Sequence, residues 1–257
     1  MIEISRKSWL VTIRTVFFDN GHPGKHNGAD LIGCVHSAQR NKSFDVVRTL
    51  HVDLSLDTPL LFAALSKSTK NQINRAAKLD RLRYTAIRDP AESDILAFQA
   101  FYNAFARGKG TTLCRPYHVE TLKLLMQQDG LVITYVCEPE GRALCYHVYV
   151  ADGVRAMLLY SGSQFRATED TAVRSRLARA HRFLHWNDIL FFKAQAFAIY
   201  DFGGLTDDPQ IEQFKRSFGG FEVTEYTGYV PITWRGKVAS NSRALLTAIR
   251  RRVFSPR

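Results

Sequence analysis

The sequence predicts an α+β fold in which a mostly antiparallel, mixed sheet carries helices on both faces. Three short apolar runs, Leu131–Val136, Ala143–Val150 and Val154–Ser161, follow one another through turn-like links, which is typical of an antiparallel meander. Amphipathic helical patterns precede and follow this meander. A further helix and strand come after it, and that order favours helices packed around a sheet.

The N-terminal part is predicted to be strands. Ser8–Phe18 is predicted as one or two strands, and a loop rich in Gly, Asn and Pro follows at Asp19–Asn27. Leu31–His36 and Phe44–Leu54 are the next predicted strands. The alternation at His51–Leu56 predicts one buried face.

Helices are predicted before the meander. Thr58–Leu79 is helical in two pieces, with Ser66 or Ser68 as the cap between them. Leu82–Ile87 is a strand. Two more helices are expected at Ala91–Arg107, which has an apolar stripe, and at Tyr117–Gln128.

The elements after the meander begin with a long helix at Thr171–Lys193 and a strand at Ala196–Tyr200. We expect the paired glycines of Asp201–Gly204 to turn the chain out of the sheet. Asp207, Asp208 and Pro209 begin a short helix, and Gly219-Gly220 ends it. Phe221–Tyr226 alternates as a strand does.

Composition sets the broad class. The chain has 257 residues, 46% of them hydrophobic, which suits one large domain. Its net charge is +11 and its pI about 9.7. Such a balance favours anionic partners, namely cofactor phosphates, nucleic acid or an acidic membrane surface. A basic protein without a specific anion site is the alternative.

Cysteine and histidine show no metal-ligand spacing, and the four cysteines have no close paired spacing. We therefore expect no metal and a reducing, cytoplasmic compartment. The N-terminus lacks the long apolar region of a signal peptide, and no run of eighteen apolar residues exists.

Two glycine-containing segments carry a family resemblance. YDFGG at Tyr200–Gly204, followed by FKRSFGG at Phe214–Gly220 and then by EY, resembles the Fem-type peptidoglycan aminoacyltransferases and their single-domain relatives in the GNAT acyltransferase superfamily. The basic segment Leu65–Lys78 is similar to a helix near the start of that domain. Leu159–Ser163 and Leu184–Trp186 resemble the elements that precede YDFGG.

The resemblance covers roughly residues 50–235 and implies a GNAT-like acyltransferase domain at 46–235. With one YDFGG/FKxxFGG pair and no internal repeat, we expect a single unit. Residues 1–45 form a strand extension packed on the core, and residues 236–257 form a basic helix. The amphipathic part of that helix, Arg243–Phe254, either docks on the domain or lies on an anionic membrane.

The resemblance also implies an acyl-coenzyme A donor, bound before and at the start of the long helix. Free backbone N–H groups and a helix dipole favour phosphate there. The residues expected to contact the donor are Tyr160, Ser161, Gly162, Arg174 and Phe214. The helix carries further arginines at 176, 179 and 182, which are otherwise a solvated face. The usual pair of closely spaced glycines is absent.

Three residues are candidate catalysts. The resemblance implies that Lys215 contacts the acyl donor or the charge that develops at the transferred carbonyl. A surface lysine between two buried phenylalanines is the alternative. Asp201 is a candidate general base, or else a carboxylate that holds a glycine turn. His147 is a second candidate base, or a satisfied core histidine.

The acceptor is expected to contact Lys70, Arg75, Tyr146, Gly203 and Gly204. Lys70 and Arg75 belong to the basic segment, which is suited to phosphates of a lipid-linked or nucleotide-linked molecule or is simply a solvated face.

The function these expectations favour is N-acyl transfer from acyl-coenzyme A to an amine of an amino sugar or amino acid, in cell-envelope or surface-polysaccharide synthesis. One alternative is a Fem-type transferase that uses aminoacyl-tRNA. Another is a degenerate, non-catalytic acyltransferase that binds an anionic ligand. The expected location is the cytoplasm, which includes the inner face of the membrane.

Overall fold

The structure, a computed structural model, describes residues 1–8, 10–19, 28–164 and 170–241. Its strands are β1 (Ile2–Ser8), β2 (Val11–Phe17), β3 (Leu31–Ser37), β4 (Asp45–Asp53), β5 (Arg83–Ile87), β6 (Leu131–Cys137), β7 (Ala143–Ala151), β8 (Arg155–Ser163), β9 (Ile199–Gly204) and β10 (Phe221–Pro231). Its helices are α1 (Thr58–Ala64), α2 (Lys67–Lys78), α3 (Glu92–Lys109), α4 (Pro116–Met126), α5 (Thr171–Ala194), α6 (Pro209–Arg216) and α7 (Trp234–Asn241).

All the described strands join one ten-stranded sheet, in the order β1-β2-β3-β10-β4-β9-β8-β7-β6-β5. Two neighbouring pairs, β2–β3 and β8–β9, are parallel, and the other described pairs are antiparallel. The predicted mixed, mostly antiparallel sheet is therefore confirmed. The predicted meander is β6–β7–β8.

Side chains alternate along each strand, so apolar residues point to both faces of the sheet and helices pack on both. On β7, Val148 and Val150 face α3 and α4 and pack in one core with Phe98 and Leu122. Tyr149 faces the other side and packs against Phe192 of α5. The same alternation places His147 on the α5 side.

Helix boundaries follow local capping chemistry. Ser66, rather than Ser68, caps α2 by accepting from the N–H of Thr69. Asp208 caps α6, with Pro209 in the first turn, as predicted. Asp170 caps α5 by accepting from two N–H groups.

The prediction for Asp201–Gly204 is wrong. These residues do not leave the sheet, because β9 continues to Gly204, which is paired with Thr49 of β4. Gly203 has a φ of +68°, and a Cβ on it would stand 2.6 Å from the carbonyl oxygen of Leu158. The glycine therefore serves close packing between β9 and β8.

The end of the chain differs from expectation in two further ways. β10 runs five residues past the predicted end at Tyr226, and α7 begins at Trp234, two residues before the start of the basic helix predicted at 236–257. The predicted helix at Arg243–Phe254 lies outside the described residues.

All four cysteines are free and buried. No helix in the described parts of the chain combines the length and apolar character needed to cross a membrane.

Candidate active site

The candidate site lies where β8 and β9 part. Their parallel ladder runs only from Arg155↔Ile199 to Met157↔Asp201. Beyond it, β8 has an extra residue, Leu159, opposite β7, since Tyr149 pairs with Leu158 but Val148 pairs with Tyr160. Tyr160 and Ser161, two of the residues expected to contact the donor, lie at this point. Alternation along the strand places their side chains on opposite faces of the sheet.

A chain of polar side chains begins at Ser161. Its Oγ lies 2.9 Å from Nε2 of His181 on α5. That nitrogen lies 3.1 Å from Nε2 of His147. Nδ1 of His147 lies 2.7 Å from a carboxylate oxygen of Asp188. His147 and Asp188 are fully buried, and Ser161 and His181 are partly exposed.

The chain continues beneath His147. The hydroxyl of Tyr149 donates to Asp188 at 2.7 Å and lies 2.9 Å from the hydroxyl of Tyr200. The Tyr200 hydroxyl in turn lies 2.7 Å from Nδ1 of His185. Tyr84 of β5 donates to the second oxygen of Asp188 at 3.0 Å. Every member is hydrogen-bonded, as a buried polar network requires.

Helical spacing brings these groups together. His181, His185 and Asp188 stand at positions i, i+4 and i+7 of α5 and so share the face turned to β7. Phe214 of α6 stacks on His181 with ring centroids 4.9 Å apart, and it also contacts His185. We expected donor contact from Phe214. The structure instead places it as the cover of the two helix histidines.

Burial sets the protonation of this cluster. It lowers the pKa of His181 and of His185 well below the ordinary value, and the electrostatic interaction with the neighbouring His147 ring acts in the same direction. Burial also raises the pKa of Tyr149 and of Tyr200 well above 10. The two helix histidines are therefore neutral and the tyrosines protonated at pH 7.

The same cluster is able to hold a metal. One ring nitrogen from each of His147, His181 and His185 lies within 4.8 Å of the others. Sequence reasoning found no metal spacing because His147 is far from the helix pair along the chain. The HRFLHWND pattern of α5 was the signal that was missed.

Lys215 lies against the end of β9. Its Nζ donates to the carbonyl oxygens of Phe202 at 2.9 Å and Gly204 at 2.8 Å, with that of Gly203 at 3.4 Å. Burial lowers the pKa of its amine to about 8. These contacts secure β9 to α6, and a catalytic role for Lys215 stays a prediction.

Asp201 is a buried ion-pair partner. Its carboxylate accepts from Nε of Arg155 at 3.0 Å, from the hydroxyl of Thr49 and from the N–H of Gly203 at 2.8 Å. Arg155 also donates twice to Glu225, at 2.6 and 2.7 Å. Burial alone would raise the pKa of Asp201, but the Arg155 charge holds it well below the ordinary range. These contacts support the structural alternative, since such a carboxylate is a weak base.

The predicted donor residues do not all meet. Tyr160 packs with Phe98 and Tyr102 on the α3 face. Gly162 also lies against α3, where a Cβ would come 3.4 Å from the Tyr102 ring. Ser161 faces α5. Arg174 is exposed in the first turn of α5, next to the undescribed segment 165–169.

Two α5 arginines are bound to carboxylates. Arg176 pairs with Glu138 at 2.6 Å, and Arg179 donates twice to Asp80, at 2.7 and 2.8 Å. They are therefore neither a phosphate cradle nor a freely solvated face. The Arg182 guanidinium lies 4.9 Å from the Phe214 ring centroid, and no described carboxylate pairs with it.

The acceptor residues are spread over three places. On α2, Lys70 donates to the carbonyl oxygen of Ala63 at 2.7 Å, and Arg75 is exposed. Tyr146 stacks on Tyr135 on the α3 face, away from the histidines. Gly203 and Gly204 lie on β9 under Lys215.

The basic helix nevertheless touches the FKRSFGG segment. The hydroxyl of Thr69 donates to Ser217 at 2.9 Å, and the N–H of Ser66 donates to the Ser217 carbonyl at 2.9 Å. Leu65–Lys78 and FKRSFGG, two of the segments on which the family resemblance rests, are therefore neighbours.

A groove with a volume near 380 Å³ lies elsewhere. It borders the start of α5 and includes Arg142, Gln164 and Arg176. The histidine cluster does not line it. We place the chemistry at the cluster because the groove's arginines are bound to Glu138.

The single sheet with helices on both faces is the mixed, mostly antiparallel α+β architecture that the sequence predicts. No protein-family model and no curated protein sequence matches the chain. Solved structures do. The crystal structure of FemX matches with a TM-score of 0.62 and 11% identity, over 88% of this chain and 83% of FemX.

Two further solved structures match. The C-terminal domain of the putative enzyme from Agrobacterium fabrum has a TM-score of 0.55 and 11% identity, over 97% of this chain and 85% of that domain. L-PGS from Bacillus licheniformis has a TM-score of 0.51 and 10% identity, over 97% and 84%. The likeness includes strands before residue 46. At these identities it shows the fold.

Proposed function

We propose that this protein transfers an acyl or aminoacyl group from an activated donor to an amine. The observation that carries the proposal is the hydrogen-bonded chain Ser161–His181–His147–Asp188, which opens where β8 and β9 part. An amine that attacks a carbonyl must lose a proton, and this chain leads from a partly exposed hydroxyl to a buried carboxylate.

The proton path follows from hydrogen-bond chemistry. A carboxylate only accepts, so His147 carries its proton on Nδ1 and offers a lone pair at Nε2. The proton between the two Nε2 atoms then belongs to His181. As the amine nitrogen bonds to the donor carbonyl carbon, His181 first passes its Nε2 proton to Nε2 of His147. The freed Nε2 lone pair of His181 then accepts the Ser161 hydroxyl proton, while Ser161 takes the proton that the amine loses. Asp188 balances the resulting imidazolium.

The same step breaks the bond to the leaving group. In a thioester donor the leaving group is a thiolate, and in an aminoacyl ester it is an alkoxide. Either one takes a proton from solvent. The chain therefore needs no covalent enzyme intermediate.

For the donor we propose acyl-coenzyme A, with Ser161, Gly162 and Arg174 as the residues nearest to its acyl end and phosphates. Aminoacyl-tRNA, which the Fem-type resemblance implies, is the second candidate, and the fold likeness to FemX and to a putative lysylphosphatidylglycerol synthetase domain supports it. Those names also favour an acceptor in the cell envelope. The basic face of α2, in contact with α6, suits either an anionic acceptor or tRNA.

A transfer assay tests the proposal. Labelled acetyl-coenzyme A and a mixture of labelled aminoacyl-tRNAs are each incubated with the protein and a panel of amino sugars and amino acids. We expect amide formation, and we expect His181→Gln to lower kcat by about 10²- to 10⁴-fold with an unchanged melting temperature.

The control variant is His118→Gln, which removes an imidazole from α4, outside the polar chain. It should keep the wild-type rate. Binding of donors without any turnover would favour the non-catalytic alternative. Equal rates for the His181 variant and wild type would show that the polar chain takes no part in the transfer reaction.

A further inference from the structure

The polar chain contains three imidazoles that converge on one point. His181 and His185 stand one turn apart on α5, and His147 reaches them from β7. The ring centroids are 4.2 Å apart for His147–His185, 5.2 Å for His147–His181 and 4.9 Å for His181–His185. Two of the imidazoles are on one helix and the third is on an adjacent strand, so regular secondary structure holds their relative positions.

The nitrogen spacing fits one metal ion. Two nitrogens bound to the same tetrahedral zinc at about 2.0–2.1 Å are about 3.3–3.4 Å apart. The Nε2 atoms of His147 and His181 are 3.1 Å apart, and a nitrogen of His185 lies within 4.8 Å of both.

The groups behind the imidazoles are those that metal-binding histidines use. Asp188 accepts from Nδ1 of His147 at 2.7 Å, which leaves Nε2 as the ligand atom. Tyr200 contacts Nδ1 of His185 at 2.7 Å and fixes that ring. Ser161 Oγ stands 2.9 Å from Nε2 of His181 and is thus a candidate for a fourth ligand.

The charges and the ligand atoms around the cluster together narrow the choice of metal ion. Asp188 supplies one negative charge beside the cluster, while Lys109, Arg182 and Lys215 act on the helix histidines as positive charges. Hard cations such as Mg²⁺ prefer several oxygen ligands, which this site does not have. Imidazole nitrogen suits zinc, cobalt, nickel and copper.

We propose that His147, His181 and His185 bind one divalent transition-metal ion, with Asp188 orienting His147. The metal-binding proposal does not depend on the proposed transfer function. If that function also holds, the metal takes the lone pairs that proton transfer needs, and one equivalent of zinc stops turnover.

The direct test is titration of the metal-stripped full-length protein with Co²⁺. Tetrahedral Co²⁺ absorbs strongly in the visible range, so binding is seen without substrate. We expect one equivalent to give this spectrum and zinc to abolish it by displacement. His181→Gln should remove the spectrum, and Asp188→Asn should weaken binding about 10- to 100-fold.

A double variant, His22→Gln with His26→Gln, is the matched control, because these histidines have the same spacing in sequence but lie outside the described residues. It should bind Co²⁺ as wild type does. X-ray absorption of the wild-type zinc complex should show three imidazole nitrogens, which tests the site even if a variant fails to fold.

The proposal is overturned if wild type gives no tetrahedral spectrum, if His181→Gln keeps it, or if the double variant loses it. If cobalt does not bind, the metal proposal fails, and the transfer assay still tests the proposed function independently. Transfer that proceeds in the presence of a bound equivalent of zinc would contradict the proton path and not the metal site.

Discussion

Nε of Arg155 donates a 3.0 Å hydrogen bond to Asp201 across the parallel pair β8–β9. The same guanidinium binds Glu225 on β10, whose other contact is Nδ1 of His36 at 2.7 Å. One buried arginine thus joins two carboxylates from separate strands, close to the point where β8 and β9 part.

Arg155→Met is expected to destabilise the fold by about 3–5 kcal/mol, because it leaves two buried carboxylates without their cation. The free energy of unfolding from urea titration measures this. Arg48→Met is the control, since Arg48 pairs with Glu222 at an exposed position and its loss should cost far less. Equal losses in the two variants would contradict the assignment.

Asp201→Asn should make stability less sensitive to acid. The folded pKa of Asp201 lies below its ordinary value, so its contribution is complete above the ordinary pKa and is lost as pH falls through the folded value. The difference in unfolding free energy between wild type and variant should be constant from pH 7 to 5. Below about pH 4 it should shrink by about 1.4 kcal/mol per pH unit. A constant difference down to pH 2 would argue against a charged Asp201.

Gly203→Ala is expected to lower the free energy of unfolding by about 2 kcal/mol or more. The residue has a positive φ, and an added Cβ would strike the Leu158 carbonyl oxygen. Gly204→Ala is the matched control one residue away. A Cβ there meets Val47 at an ordinary 3.6 Å. Thermal unfolding of the two variants should therefore separate them clearly, and similar melting temperatures would mean that β8 and β9 are not in close contact.

Lys215→Met should lower the free energy of unfolding by about 2 kcal/mol, since it leaves the carbonyl oxygens at the end of β9 without their charged donor. Lys67→Met, at an exposed position of α2, should have little effect. If Lys215→Met keeps full stability but loses transfer activity, the result favours the predicted catalytic role of Lys215 over a structural role.

Local patterns predicted most elements of the fold. The caps at Ser66 and Asp208 and the β6–β8 meander depend on neighbours in sequence, and the predictions match the structure closely. The extension of β9 through Gly204 was missed because its cause, contact with Leu158 and Thr49, involves residues remote in sequence.

The site was less accessible to sequence reasoning. His147 was singled out, but its partners on α5 were not, since His147 and His181 are 34 positions apart in sequence and no local pattern shows their contact. The ion pairs of Arg176 and Arg179 were hidden for the same reason. Asp80 and Glu138 lie far from them along the chain.

The order of strands has a consequence during synthesis on the ribosome. β10 separates β3 from β4, although it follows them by well over a hundred residues in sequence. Until residues 221–231 emerge, β3 and β4 each present an unpaired edge, and the two parts of the sheet stay unjoined. Nascent chains stalled before this point are therefore the species most exposed to aggregation and most dependent on chaperones.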